Sequence, residues 1–338
     1  MNDAQTIFDL IYALAASDGR DAALFGSSAQ AARMAFAHSN PGTAFPELWF
    51  ELPLAGDPWF DLHVLADRAD LRNADPQTAF SPGSCGGHED VFRWFAEQGD
   101  SARQLALSWD LNGADQGSAG AAIQLLLWNR DDAMACDFLQ TAGKPEAVDA
   151  YQSFVERIPA GWFACYAGVF PMRPGHNLRI ECIPAYAQQQ AYAQNKVLLA
   201  RDLQQAGIEN PGDNMLERCQ LLAQTPFQLE FQFDVEQEGI LGTTFGASLR
   251  FAAPHHANDD SSFTTDGASG SLMSKLEAWG LADARWRLLA DTIGAWRLGH
   301  ADGRPPVTLF CYPAFVKLRW RNGEPLDAKA YLVAGIQS

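Results

Sequence analysis

Basic side chains are scarce in this chain, and several fall at alternate positions of segments that read as β-strands. Its 338 residues carry 24 Lys and Arg against 41 Asp and Glu, a formal charge of −17. Lys317 and Arg319 alternate on one segment and Lys329 and Tyr331 on the next, while Arg179 and Arg250 occupy polar positions of two others. Residues two apart in a strand share a face, so these groups can converge on one polyanion. Arg would hold phosphate oxygens bidentately and Lys would act as a mobile point charge. The competing assignment pairs the same cations with Glu181, Glu230, Asp234 or Asp327 across the strands, because an unpaired buried charge is expensive. If Arg179, Arg250 and Lys329 prove to be paired with carboxylates, or point outward, the polyanion site fails.

Other chemistry-bearing groups are weaker signals. His63 with Asp61 could form an acid–base couple, although residues at i and i+2 more often simply share a polar face. Asp131-Asp132 lies where a helix begins and reads as a cap matched to the helix dipole. The segment 254–270 offers His255, His256, Asp259 and Asp260 to a metal, but its Ser, Gly and Asp content reads as a flexible connection or lid. Cys85 next to His88 at a helix start could be an activated thiol, yet it has no second partner. No GxSxG elbow, P-loop, GxGxxG or HExxH motif occurs.

The elements that would position these residues repeat. Strand pairs read at 47–66, 104–128, 161–183, 226–252 and 308–334, each flanked by helical stretches, which suggests one repeated unit. In 227–235 the alternation is complete, with Phe227, Leu229, Phe231, Phe233 and Val235 opposed to Gln228, Glu230, Gln232 and Asp234. The segment 310–321 sets Phe310, Tyr312, Ala314, Val316, Leu318 and Trp320 against Cys311, Phe315, Lys317, Arg319 and Arg321. Segments 4–16, 21–38, 88–98, 131–157, 186–206, 213–223 and 271–297 carry apolar residues at helical spacing. Helices covering the apolar faces leave the polar faces to a lumen, a second sheet or water. Ten strands without a convincing edge favour closure into a barrel. The expected fold class is α+β: a ten-stranded antiparallel barrel with a polar lumen, surrounded by helices, as a single domain over 1–338.

Composition bounds the function. Net negative charge disfavours nucleic acid and anionic membranes as partners, while a small anion bound inside the barrel stays possible because a few interior cations dominate locally. No segment approaches the ~20 apolar residues of a membrane span, and the acidic, amphipathic start does not read as a secretory signal. Six scattered cysteines without CxxC or zinc spacing point to a reduced, cytoplasmic protein.

Five strand-pair-plus-helix units around a wet lumen resemble the ABBA, or PT-barrel, aromatic prenyltransferases over roughly residues 20–334. Gly42-Thr43-Ala44-Phe45-Pro46-Glu47 is similar to the Gly-Thr-Pro-hydrophobic-Glu segment of the indole-prenylating branch, and Lys329-Ala330-Tyr331 fits its Lys-x-Tyr form. The resemblance implies that Arg179, Arg250, Lys317, Arg319, Lys329 and Tyr331 hold a prenyl pyrophosphate. It also implies that Trp49, Trp59, Phe315 and Tyr331 shield the allyl cation and that Glu47 takes a proton from an aromatic or peptide acceptor. No cofactor is then required; Mg2+ could assist, although no DDxxD motif is present. The sequence departs from the pattern at Asp61-Leu62-His63 on the second strand, where an Arg is expected. It departs again at Gln124 on the fourth, where a Lys is expected, and at Arg179-x-Glu181 on the sixth. The alternative is a non-catalytic or divergent barrel that encloses an organic ligand, with its lumen charges paired among themselves.

Overall fold

A computed structural model describes residues 4–39, 45–73, 88–98, 102–111, 121–170, 178–236, 239–253, 262–299 and 306–337. Its strands are β1 (Glu47–Pro53), β2 (Asp61–Ala66), β3 (Ala102–Trp109), β4 (Ala122–Leu127), β5 (Trp162–Val169), β6 (Leu178–Pro184), β7 (Gln228–Val235), β8 (Leu241–Arg250), β9 (Gly294–Leu298), β10 (Val307–Arg321) and β11 (Glu324–Gln337). Each strand from β1 to β8 pairs with the next, β8 pairs with β10, β10 with β11, and β11 returns to β1. Ten antiparallel strands therefore close, as expected, and closure leaves no open edge around the ring.

The registers give the barrel two unlike ends. The connections β1–β2, β3–β4, β5–β6, β7–β8 and β10–β11 all turn at one end, where Glu51 lies opposite Asp61 and Arg321 opposite Glu324. At the last of these, Asn322 and Gly323 take φ of 53° and 80°, the left-handed pair that a tight hairpin requires. Every connection between hairpins leaves from the other end and carries helix. These helices include α4 (Arg68–Asn73), α5 (Glu89–Ala96), α6 (Asp132–Thr141), α7 (Glu146–Val155), α8 (Tyr186–Gln194), α9 (Lys196–Gln205), α10 (Asp213–Ala223) and α11 (Ala268–Ala278). We call the two ends the hairpin end and the helix end. Before β1 come three more helices, α1 (Ala4–Ser17), α2 (Asp21–Phe25) and α3 (Ser28–Ser39).

Alternation sorts the side chains as the sequence pattern predicts. Along β7, Leu229, Phe231, Phe233 and Val235 point outward into the helix layer and are at most 1% exposed. Phe154 on α7 meets Phe233 at 5.1 Å, and Phe8 on α1 meets Phe50 at 6.1 Å and Phe60 at 6.0 Å. The opposite face of β7, with Glu230, Gln232 and Asp234, is buried as well. Its polar groups look into the lumen rather than out to bulk solvent. Asp131 caps α6 by accepting from the Met134 N–H at 3.0 Å, as its position predicted.

Four boundaries differ from the sequence reading. The stretch 131–157 breaks between α6 and α7 because Gly143 takes φ of 70° and Pro145 follows. The stretch 186–206 breaks at Asn195, whose side chain caps α9 by accepting from Leu198 N at 3.0 Å. Likewise 21–38 divides into α2 and α3, and 271–297 becomes α11, a 3-10 turn over Ala284–Thr292 and strand β9. β9 pairs with the first part of β10, outside the ten-stranded ring. A register shift between Pro313 and Phe315 also changes the face along β10. Cys311 and Leu309 therefore point to the outer core, and Phe310 and Tyr312 join Phe315 and Tyr331. Strict alternation had placed Cys311 with Phe315, but a bulge inserts one residue and flips the parity. No helix among the described residues is long and apolar enough to cross a membrane.

Candidate functional site in the barrel lumen

The inner faces of the strands line a narrow cavity of about 80 Å³ in the lumen. Space is preserved partly by glycine: a Cβ on Gly168 would lie 2.5 Å from the Tyr166 hydroxyl. Apolar and charged groups share the walls. Trp49 and Phe315 meet at 5.1 Å between ring centroids, and Tyr331 stands edge-on to both, at 6.4 and 6.0 Å. His63 closes this slot at 6.0 Å from the Tyr331 ring.

Toward the hairpin end every expected cation has a carboxylate. Arg179 Nε donates to Asp234 Oδ1 at 2.7 Å, and Arg319 Nε to Asp327 Oδ1 at 2.7 Å. Lys329 Nζ lies 2.6 Å from Glu51 Oε1 and 3.5 Å from Asp61 Oδ2. Asp61 also accepts the Leu111 N–H at 2.8 Å. Burial pushes the Asp61 carboxyl up to about 6 despite the pull of Lys329. Burial acts on Glu51 in the same direction, but Lys317, Lys329 and His63 outweigh it and hold that carboxyl well below its ordinary range.

The middle layer is less balanced. Lys317 Nζ makes no ion pair among the described residues; it donates to Gln232 Oε1 at 3.4 Å and lies 4.8 Å from the centre of the Tyr331 ring. Burial lowers its ammonium to about 8. Gln232 donates in turn to Glu181 at 2.6 Å. Glu181 is raised to about 7, chiefly by burial and then by the neighbouring Glu230 charge.

Toward the helix end Arg250 Nε donates to Glu230 Oε1 at 2.9 Å and its guanidinium lies 4.4 Å from the centre of the Phe315 ring. Glu47 accepts from Trp49 Nε1 at 2.5 Å. Burial raises the Glu47 carboxyl, opposed by that hydrogen bond and by Arg103. Arg103 sits in a bulge of β3, where Ala102 faces Leu127 and Gln104 faces Leu126 with no partner between. Its guanidinium stacks over Trp128 at 4.5 Å.

Most of the candidate residues thus meet in one chamber. Trp49, His63, Arg179, Arg250, Phe315, Lys317 and Tyr331 line it directly. Lys329 stands at its hairpin end, and Arg319 belongs to a separate pair there. Trp59 is not beside the Trp49–Phe315 slot; it covers Lys329, 4.7 Å from Nζ. His63 is not coupled to Asp61 but to Glu51 on β1, at 3.3 Å, because Asp61 turns to Lys329 and the Leu111 amide. His88 binds the Ala121 carbonyl oxygen at 2.9 Å. Cys85, His255, His256, Asp259, Asp260 and the Gly42-Thr43-Ala44 segment lie outside the described residues. Two residues at the centre of the network were missed. Glu51 shares a face with Glu47 and Trp49 by simple alternation, a signal that was present. Arg103 is aimed by a bulge, which alternation does not foresee.

No protein-family model matches the chain, and no curated sequence matches it. Solved structures do. A 5-dimethylallyltryptophan synthase from Streptomyces coelicolor aligns at a TM-score of 0.51 and 11% identity, over 97% of this chain and 95% of that one. PriB, in a binary complex with product diphosphate, aligns at 0.52 and 12% identity, over 97% and 96%. Likeness at that identity is likeness of fold, and the chain has the PT-barrel fold.

Proposed function

We propose that this barrel encloses a small organic ligand in its lumen, with the Trp49–Phe315–Tyr331 slot as the contact surface and the lumen charges paired among themselves. The pairing carries this reading. Arg179, Arg250 and Lys329, the three cations on which a pyrophosphate cradle most depends, each have a carboxylate oxygen between 2.6 and 2.9 Å away. Arg179, Arg250, Lys317, Arg319 and Lys329 face Glu51, Asp61, Glu181, Glu230, Asp234 and Asp327, so a diphosphate entering the lumen meets no excess of positive charge. Electrostatic stabilisation of a leaving group needs prearranged donors that are not already spent.

Prenyl transfer is the second reading. It is supported by the shared fold and by the convergence of Arg179, Arg250 and Lys317 on one aromatic-walled cavity, with Lys329 beside it. In that reaction the allylic C–O bond breaks as diphosphate leaves, the acceptor attacks the allyl carbon, and Glu47 takes the acceptor's proton. Arg179, Arg250, Lys317, Lys329 and Tyr331 would carry the leaving group, and Trp49 and Phe315 would flank the cation, whereas Arg319 and Trp59 lie outside the chamber. The carboxylates must first release their partners. Asp61 and Glu181, at about 6 and about 7, are the two most readily neutralised when a polyanion arrives.

A thermal-shift panel separates the readings. Dimethylallyl and geranyl thiolodiphosphate, with and without Mg2+, are compared with the corresponding prenyl alcohols and simple aromatic compounds. The enclosed-ligand reading expects uncharged compounds to raise Tm and the thiolodiphosphates to add nothing. Stabilisation by the thiolodiphosphates alone, lost in Lys329→Ala, would overturn it in favour of prenyl transfer.

A further inference from the structure

The lumen does not end at its aromatic slot. A second space of about 280 Å³ continues toward the helix end and shares Leu126, Tyr166, Glu181 and Arg250 with the main cavity. Arg103 and Trp128 form its outer wall. Trp128 is 59% exposed, in a chain whose other large aromatic side chains are mostly buried. Arg103 makes no ion pair, and none of its N–H groups finds an acceptor, among the described residues. Glu47 and Glu230 act on it only through space, burial and the Arg250 charge both work against its own, and Asp67 and Arg68 border the same rim. Stacking on Trp128 uses the face of the guanidinium and leaves its in-plane donors open, the fork that matches a carboxylate. The bulge at Ala102–Gln104 gives the residue this aim.

We infer that the helix-end mouth holds an anionic subsite in which Arg103, supported by Trp128, binds the carboxylate of an aryl-carboxylic acid whose apolar body reaches into the lumen. This deepens the enclosed-ligand reading and rests on it. The charge count favours a carboxylate over a diphosphate: one uncompensated cation suits a single negative charge, and the nearby Glu47 and Glu230 would repel a more highly charged group. Tyr166 and Arg250 line both spaces, so a ligand anchored at Arg103 has a continuous path toward the Trp49–Phe315 slot.

The test measures binding of phenyl- and naphthyl-alkanoic acids and of their neutral primary amides by ligand-observed NMR and calorimetry. Wild-type protein is expected to bind the acids about tenfold more tightly than the amides, the gain of one charge-assisted contact. Arg103→Gln should erase the preference and leave amide binding unchanged, and Arg103→Lys should retain part of it. Acids and amides binding equally, or a preference that survives in Arg103→Gln, overturns the subsite while leaving the enclosed-ligand reading intact. Binding of neither series at millimolar concentration overturns both. Selective binding of dimethylallyl thiolodiphosphate at Arg103 would replace the carboxylate with a diphosphate and overturn the assignment as stated.

Discussion

The two ends of the lumen are built from the same strands yet differ in how completely their charges are matched. At the hairpin end the connections are short, the cations lie deep, and each is matched: Arg179 with Asp234, Arg319 with Asp327, Lys329 with Glu51 and Asp61. At the helix end the connections carry helix, Arg250 is matched by Glu230, and Arg103 stands over the exposed Trp128 without a carboxylate partner among the described residues. The contrast follows from solvation. A guanidinium that water can reach needs no counter-ion, whereas one held away from water costs several kcal/mol without one. The hairpin end therefore reads as structure, and the helix end as the place where an incoming anion finds an unspent donor.

The largest expected effect lies at the matched end. Asp234→Ala leaves Arg179 buried and uncompensated, and urea unfolding should show a loss of about 3–5 kcal/mol. Replacing both partners by Met and Leu should restore most of that stability. A loss below about 1 kcal/mol in the single variant would mean that Arg179 is not electrostatically tied to Asp234, and the contrast would collapse.

Proton linkage sharpens the comparison in the middle layer. Glu181 is raised from 4.5 to about 7, so between those values the folded protein binds more protons than the unfolded chain. Its contribution to stability is complete below about 4.5 and is lost as pH rises through about 7. Glu181→Gln should flatten the fall in stability across that window; an unchanged slope in denaturant midpoints would remove Glu181 from the account. Lys317 has the opposite consequence. Its ammonium is lowered from 10.5 to about 8, so the unfolded chain binds more protons between those values and stability should climb with pH there. Lys317→Met should abolish that climb, read from Tm across an alkaline series.

The smallest effect belongs to the helix end. Arg103→Gln should change the unfolding free energy by no more than about 1 kcal/mol, because Arg103 is partly buried but gives up no ion pair among the described residues. A loss near that of Asp234→Ala would show that Arg103 is a structural cation, and the two ends would no longer differ in kind.

Much of the frame was legible in the residues. The alternation of 227–235 is the alternation of β7. The lumen face of Arg179, Arg250, Lys317 and Lys329 was legible too. Pairing was legible in part: Glu230, Asp234 and Asp327 were expected as cross-strand partners and meet Arg250, Arg179 and Arg319. Glu51 was not foreseen, because it and Lys329 are 278 positions apart and meet only when the first strand closes on the last. His63 illustrates the same limit. Its local neighbour Asp61 was the obvious partner, but a strand-to-strand contact with Glu51 prevailed.

What the sequence determined alone is the division of each strand into an apolar and a polar face, since side-chain direction in a strand depends only on parity. That parity, with enough helix to cover the apolar side, is sufficient for a barrel with a wet interior. What the tertiary structure decided is which inward charges cancel. Coulomb energies fall with distance and rise with desolvation, and closure set both. It placed a carboxylate within bonding reach of Arg179, Arg250, Arg319 and Lys329 and left Arg103, partly buried over Trp128, with none among the described residues.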